Sequence, residues 1–114
     1  MISPRLTYHL TPTAWWDAAD PAAPLRSTSL DTEGFIHCTD GAAAMVATAN
    51  RHYAGVSGAF VILIVDLGRL TSVWRIEDPG RIYPHIFGPI DRAAIVAVVD
   101  APRTADGTFL PFAS

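Results

Sequence analysis

The chain has 114 residues, half of them hydrophobic, and a formal net charge of −3. It therefore fits one domain with one core, spanning 1–114, and excludes two full domains. The eight basic side chains are all arginines spread along the sequence, which argues against a duplex nucleic-acid binder because such proteins need clustered cations. One or two arginines still suffice for the diphosphate of a small nucleotide.

Cysteine content and hydropathy indicate where such a protein works. A single cysteine, Cys38, excludes an internal disulfide and favours a reducing compartment. The amino-terminal residues show no export signal, and the longest apolar run, 59–65, is far shorter than the roughly 20 residues of a membrane-spanning helix. We expect a cytoplasmic protein with a small-molecule partner and no membrane contact, and leave its oligomeric state open.

Short apolar stretches predict six strands, and two longer patterns predict helices. The strands are expected at 5–10, 34–38, 59–65, 72–76, 82–87 and 94–99, and the helices at 13–20 and 39–53. Thr11 and Pro12 should open the first helix, and Thr39 with Asp40 the second. Residues 22–33 should form an irregular flap, and 101–114 an irregular tail over a core of about 5–100. This excess of strands over helices indicates a single α+β domain.

Two of these strands have distinct patterns. The run 59–65 is apolar throughout and rich in β-branched residues, which predicts a central strand covered on both faces. The segment 5–10 alternates Leu6, Tyr8 and Leu10 against polar residues, which is the period of a half-buried strand. On that strand His9 faces away from Leu6.

Three of the four histidines, His9, His37 and His85, lie in apolar, strand-like stretches. A buried imidazole must find a hydrogen-bond partner or lose its charge, so these residues either converge on one polar cleft or are three separately satisfied core histidines. A zinc-dependent hydrolase is a further alternative, but no pair has the short spacing typical of metal ligands, and we expect no metal. Cys38 should point away from His37 and fill the core.

Five motifs identify a resemblance that runs from about residue 6 to 99. They are Tyr8-His9-Leu10-Thr11, Glu33-Gly34-Phe35-Ile36-His37-Cys38-Thr39, Ala49-Asn50-Arg51, Trp74-Arg75-Ile76-Glu77 and Tyr83-Pro84-His85-Ile86-Phe87-Gly88-Pro89. Together they resemble domain-of-unknown-function family 952, small bacterial proteins sometimes labelled as related to glutathione S-transferase and grouped with the ADP-ribosyltransferase superfamily. The resemblance implies a split or curved, mostly antiparallel sheet with about two helices.

The resemblance also implies that NAD is the substrate and assigns residues to it. Tyr8, His9 and Thr11 match a first-strand motif whose histidine binds the adenosine ribose, although Leu10 replaces the usual glycine. His37 takes the place of the residue that contacts the nicotinamide ribose, with Thr39 supplying a hydroxyl.

The catalytic position is where this chain departs from the best-known transferases. They carry a late glutamate that stabilises an oxocarbenium-like cation. Here His85 occupies the corresponding segment. Glu77 is the other candidate, and the alternative for it is a solvated turn carboxylate. The departure is similar to the branch of the superfamily that moves a phosphate from RNA onto NAD.

The remaining candidates concern the rest of a nucleotide. Arg26 and Arg75 are the candidates for clamping a diphosphate, because a guanidinium matches two phosphate oxygens. The alternative for each is a surface ion pair. Tyr83 joins them as a nucleotide-binding residue, and Trp15 and Trp16 either stack on a base or belong to the core. The predicted function is binding of NAD or ADP-ribose, with transfer or hydrolysis of the ADP-ribose part. A non-catalytic nucleotide or metabolite-binding module and a three-histidine metal hydrolase are the alternatives.

Overall fold

The strand Phe60–Asp66, β3, lies at the centre of the fold in the computed structural model, which describes residues 3–113. It pairs antiparallel with Leu6–Pro12, β1, on one side and with Ile95–Asp100, β6, on the other. All seven of its residues are buried. This confirms the predicted central strand, since β-branched side chains suit a sheet that is covered on both faces.

A second antiparallel sheet is built from three shorter strands, Ile36–His37 (β2), Trp74–Ile76 (β4) and Pro84–Ile86 (β5), in the order β2-β5-β4. The two sheets meet at the backbone of Tyr8 and Thr39, whose amides exchange hydrogen bonds of 3.0 and 2.8 Å. The chain is thus a single α+β domain with a split antiparallel sheet, as predicted.

The two faces of β3 contribute to two separate hydrophobic cores. Val61, Leu63 and Val65 pack into one core with Ile36 and Ile86 of the second sheet. The alternate residues Phe60 and Ile62 pack into the other core with side chains of the longest helix and the carboxyl-terminal tail. Because successive side chains of a strand point to opposite faces, one strand serves both cores.

The strand β1 buries its polar face. Thr7, His9 and Thr11 are buried, whereas Leu6 is 41% exposed. The alternation in the sequence is real, but the second sheet lies against the polar set. Burial of a polar group costs free energy unless it finds a hydrogen-bond partner. Among the described residues His9 has one in the His37 carbonyl, whereas the Thr7 hydroxyl has none.

Three helices are present, Thr13–Ala18 (α1), Thr28–Thr32 (α2) and Ala42–Tyr53 (α3), together with 3₁₀ turns at Leu67–Arg69 and Arg92–Ala94. The helix α2 corrects the expectation of two helices and an irregular flap at 22–33. No helix within residues 3–113 has the length and apolar character to cross a membrane.

Both predicted helix openings are wrong. Thr11 and Pro12 still belong to β1, and α1 begins at Thr13 without a side-chain cap. Gly41, with a φ of 88°, directly precedes α3, and no side chain caps the helix. Thr39 pairs through its backbone with Tyr8 instead. The carboxylate of Asp40 instead binds Arg5 at 2.7 Å, which leaves it unavailable as a cap.

The tail after β6 packs over the second core, as expected, through Phe109 and Phe112. The Asn50 side chain accepts from the backbone N–H of Phe109 at 2.7 Å and donates to its carbonyl at 3.1 Å. Arg103 stacks on the ring of Phe109, with its guanidinium carbon 4.3 Å from the ring centre, and donates to carbonyls around Gly58 and Gly107. These contacts hold the tail against the end of α3.

Candidate functional site

The three histidines that the sequence singled out lie together. The Nδ1 atom of His9 on β1 is 2.7 Å from the carbonyl oxygen of His37 on β2. His37 and His85 are directly opposite each other in the β2–β5 pair, and their ring centres are 5.6 Å apart. Residues opposite each other on antiparallel strands point to the same face, so both imidazoles belong to one surface.

The contacts of His9 determine its tautomer. A carbonyl oxygen can only accept, so Nδ1 of His9 carries the proton and donates to His37. Burial lowers the pKa of His9, and the hydrogen bond to the carbonyl offsets that effect only in part. The ring is therefore neutral, and its Nε2 atom, which has no hydrogen-bond partner within residues 3–113, is a lone-pair acceptor.

The other two imidazoles each face a carboxylate. Nε2 of His37 lies 3.0 Å from Glu33, with the His37 side chain 53% exposed. Nδ1 of His85 lies 3.4 Å from Glu77, and Phe35 stacks on the His85 ring at 4.1 Å between ring centres. An imidazole with one nitrogen on a carboxylate keeps the other nitrogen available for proton transfer.

These residues line a cleft of about 730 Å³, a volume within the usual range for small-molecule sites. Of the ten residues predicted for the site, the cleft brings together seven: Tyr8, His9, Thr11, His37, Thr39, Tyr83 and His85. Arg26, Arg75 and Glu77 do not line it. Arg26 binds Asp31 at 2.8 Å, and the guanidinium of Arg75 lies 5.2 Å from the Phe87 ring centre.

Three charged residues of the cleft were given no role from the sequence: Glu33, Arg51 and Asp78. Glu33 stands four residues before His37, but it follows α2 rather than lying on a helix with His37, so its spacing alone gave no signal. Arg51 follows Thr48 by three residues on a helix that was predicted. That spacing places both on one helical face and could have been used.

The two adjacent tryptophans separate. Trp15 is 44% exposed and lines the cleft, and its indole N–H donates to the Arg26 carbonyl at 2.9 Å. Trp16 packs against the first core, with the Arg92 guanidinium 4.8 Å from its ring centre. Of the two tryptophans, Trp15 alone lines the cleft.

Cys38 is 2% exposed and belongs to the first core, as expected for a buried thiol. Burial raises the pKa of its thiol, with the nearby Asp40 carboxylate adding to the effect. A protonated thiol is a poor nucleophile. Over residues 3–113, no three His, Cys, Asp or Glu side chains are placed to hold one metal ion.

Comparison with known proteins connects this geometry to a family. Residues 10–98 match the model of the family described as "Protein of unknown function (DUF952)". No curated protein matches. The fold is similar to the crystal structure of protein CC0527 from Caulobacter crescentus, with 25% identity, a TM-score of 0.72 and coverage of 93% of this chain and 94% of that chain. The solution structure of CC0527 has 27% identity, a TM-score of 0.66 and coverage of 90% and 89%.

Proposed function

Given that the chain belongs to the DUF952 family, we propose that it binds NAD or ADP-ribose in this cleft and transfers or hydrolyses the ADP-ribose part. The observation that supports this proposal most is the convergence of His9, His37 and His85 on one ligand-sized hollow. His9 is buried, His85 is partly buried and His37 is exposed, and all three line the same hollow, as expected for a small-molecule site with a few convergent polar groups.

His9 provides a hydrogen-bond acceptor at a fixed position in the site. Its Nε2 lone pair accepts a hydrogen bond from a ribose hydroxyl, because Nδ1 is held by the His37 carbonyl and the ring stays neutral. The hydroxyls of Thr11 and Thr39, both buried at the cleft, provide further polar partners for the sugar. The exposed face of Trp15 offers a surface on which a base can stack.

The reaction breaks the bond between the nicotinamide nitrogen and the ribose carbon. The bonding electrons leave with nicotinamide, and the positive charge that develops on the sugar is stabilised by the Glu33 carboxylate beside His37. Glu33 replaces Glu77 in this role because it lines the cleft. In hydrolysis a water oxygen bonds to the sugar carbon and its proton passes to the free nitrogen of His37 or His85, giving ADP-ribose, nicotinamide and a proton.

Further proposals concern partner and location. A small nucleotide suits the cleft better than a duplex, since Arg51 is the one arginine of the described chain that lines it. A free cysteine buried in the core suits the reducing cytoplasm.

Calorimetric titration with NAD, ADP-ribose and nicotinamide, followed by chromatography for released nicotinamide, tests the function. We expect binding of NAD and slow nicotinamide release by the wild-type protein. Glu33→Gln should lower release at least about a hundredfold while NAD still binds, because a charge-stabilising group is lost. Asp17→Asn, exposed on α1 outside the cleft, is the matched acidic control and should match the wild type.

Other results assign another function. Binding of NAD or ADP-ribose without any nicotinamide release would indicate the non-catalytic module. A metal ion that co-purifies near one equivalent, with hydrolysis lost on chelation, would indicate the metal hydrolase. Failure to bind either nucleotide would contradict the proposal.

A further inference from the structure

Arg51 is the one arginine within residues 3–113 that lines the cleft, and no carboxylate pairs with it there. Three of the others bind carboxylates, Arg5 to Asp40, Arg26 to Asp31 and Arg69 to Asp66. Arg92 and Arg103 donate to backbone carbonyls, and Arg75 lies over Phe87. Arg81 is exposed and lies outside the cleft. Within residues 3–113 no carboxylate lies within ion-pair distance of Arg51, although its side chain lines the cleft. Its charge is available to a ligand.

Two hydroxyl groups lie beside this guanidinium. The Oη atom of Tyr83 is 3.4 Å from Nη1 of Arg51 and 3.4 Å from Oγ1 of Thr48. Thr48 and Arg51 are three residues apart on α3, so they share one face of the helix. The Thr48 hydroxyl and the Arg51 guanidinium hold the pKa of the Tyr83 phenol below its ordinary value. Contacts this long are weak and exchange readily for a stronger acceptor.

The loop before β5 fixes Tyr83 at this corner. Asp78 accepts the backbone N–H groups of Ile82 and Tyr83 at 3.1 and 3.0 Å, one on each carboxylate oxygen. The turn between Asp78 and Ile82 includes Arg81 with a φ of 54°, a backbone conformation that residues other than glycine rarely adopt. The hydrogen bonds to Asp78 therefore fix the backbone of Tyr83, whose phenol points towards α3.

We propose that Arg51, Thr48 and Tyr83 form a phosphate-binding corner of the cleft. Three donor groups linked by contacts of 3.4 Å along one side of the cleft suit the several oxygens of a phosphoryl group, and a guanidinium binds two of them at once. The inference rests on the proposed function, in which the group held is the diphosphate of NAD or ADP-ribose. It assigns to Arg51 the role that the sequence had assigned to Arg26 and Arg75, which lie outside the cleft.

Titration with inorganic pyrophosphate, ADP-ribose and adenosine tests this corner. We expect Arg51→Ala to weaken pyrophosphate and ADP-ribose at least about tenfold, the loss typical of one charge-assisted contact, while any affinity for adenosine stays the same. Tyr83→Phe should weaken the same two ligands by less. Arg69→Ala, an exposed arginine outside the cleft, is the matched control and should bind like the wild type.

The outcomes separate this inference from the proposed function. Equal ADP-ribose affinity in Arg51→Ala and wild type would overturn it, as would a loss seen with Arg26→Ala or Arg75→Ala instead. A wild type that binds neither pyrophosphate nor ADP-ribose would overturn it too. Pyrophosphate binding that depends on Arg51, without any binding of NAD or ADP-ribose, would support the corner and remove the proposed function.

Discussion

The ring of His9 and the backbone of His37 are joined by a hydrogen bond of 2.7 Å that crosses from one sheet to the other. It lies close to the bridge between Tyr8 and Thr39, so the residues that join the two sheets also line the cleft. A change in the protonation of His9 would therefore affect stability as well as binding.

The pKa of His9, lowered by burial, predicts a pH dependence of stability. Well above pH 6.5 the ring is neutral in both the folded and the unfolded chain, and the His9 contribution is complete. Below pH 6.5 the unfolded chain takes up a proton that the folded chain does not. The free energy of unfolding should then fall by up to about 1.4 kcal/mol per pH unit until the folded pKa is reached.

Urea unfolding on either side of pH 6.5 measures this slope. His9→Gln is the matched variant, because its amide still donates to the His37 carbonyl but does not titrate. The variant should lose the His9 part of the slope, and an identical slope in both proteins would contradict the assignment.

Cys38 should be inert towards thiol reagents in the native protein, because it is 2% exposed and burial raises the pKa of its thiol. A chromogenic disulfide reagent should label it only as fast as the protein unfolds, and should label it fully in denaturant. Fast labelling of the native protein would show that the thiol is reachable.

Gly107 and Gly58 have similar backbones but different surroundings. Their φ values are 95° and 103°, so alanine is strained at either position. A methyl group at Gly107 would also overlap the Ala54 carbonyl oxygen, whereas Gly58 has open space. We expect Gly58→Ala to cost about 1 kcal/mol and Gly107→Ala at least about 2 kcal/mol. Chemical denaturation compares them, and equal losses would contradict the predicted overlap.

Arg103 should contribute strongly to stability although it lies outside the cleft. Its guanidinium donates to the carbonyls of Gly58 and Gly107 and lies over the rings of Phe60 and Phe109. Arg103→Ala removes these contacts and should lower the free energy of unfolding by about 2–3 kcal/mol.

Arg69→Ala provides the comparison for Arg103. Its one ion pair, with Asp66 at 3.4 Å, is exposed on the arginine side, so its removal should cost less than about 1 kcal/mol. Equal losses of the free energy of unfolding in the two variants would show that the Arg103 contacts add nothing to stability.

Parts of the fold could be predicted because the relevant signal is local. The unbroken apolar run that became β3 needs no knowledge of its neighbours. The face that β1 buries could not be predicted, because alternation shows two faces and only the distant second sheet decides which is covered. The helix α2 has five residues rich in Ser and Thr, too few for a helical period to show.

The candidate site could also be predicted only in part. Convergence of His9, His37 and His85 followed from their unusual apolar surroundings, and the structure brings them together. Arg26 and Arg75 were favoured as clamps because of their chemistry alone, which does not say where a side chain lies. Arg51 could have been predicted from its helical spacing to Thr48. Its lack of a carboxylate partner depends on the tertiary structure and could not.

The paired hydrogen bonds between Asn50 and the backbone of Phe109 have a consequence for the neighbouring residue. They anchor the last turn of α3 from outside, so the position of Arg51 depends on residues almost sixty places further along the chain. A protein cut short before Phe109 would keep every cleft side chain, yet its phosphate-binding arginine would sit on a frayed helix end. Shortening this end would reduce affinity for anions in preference to neutral ligands.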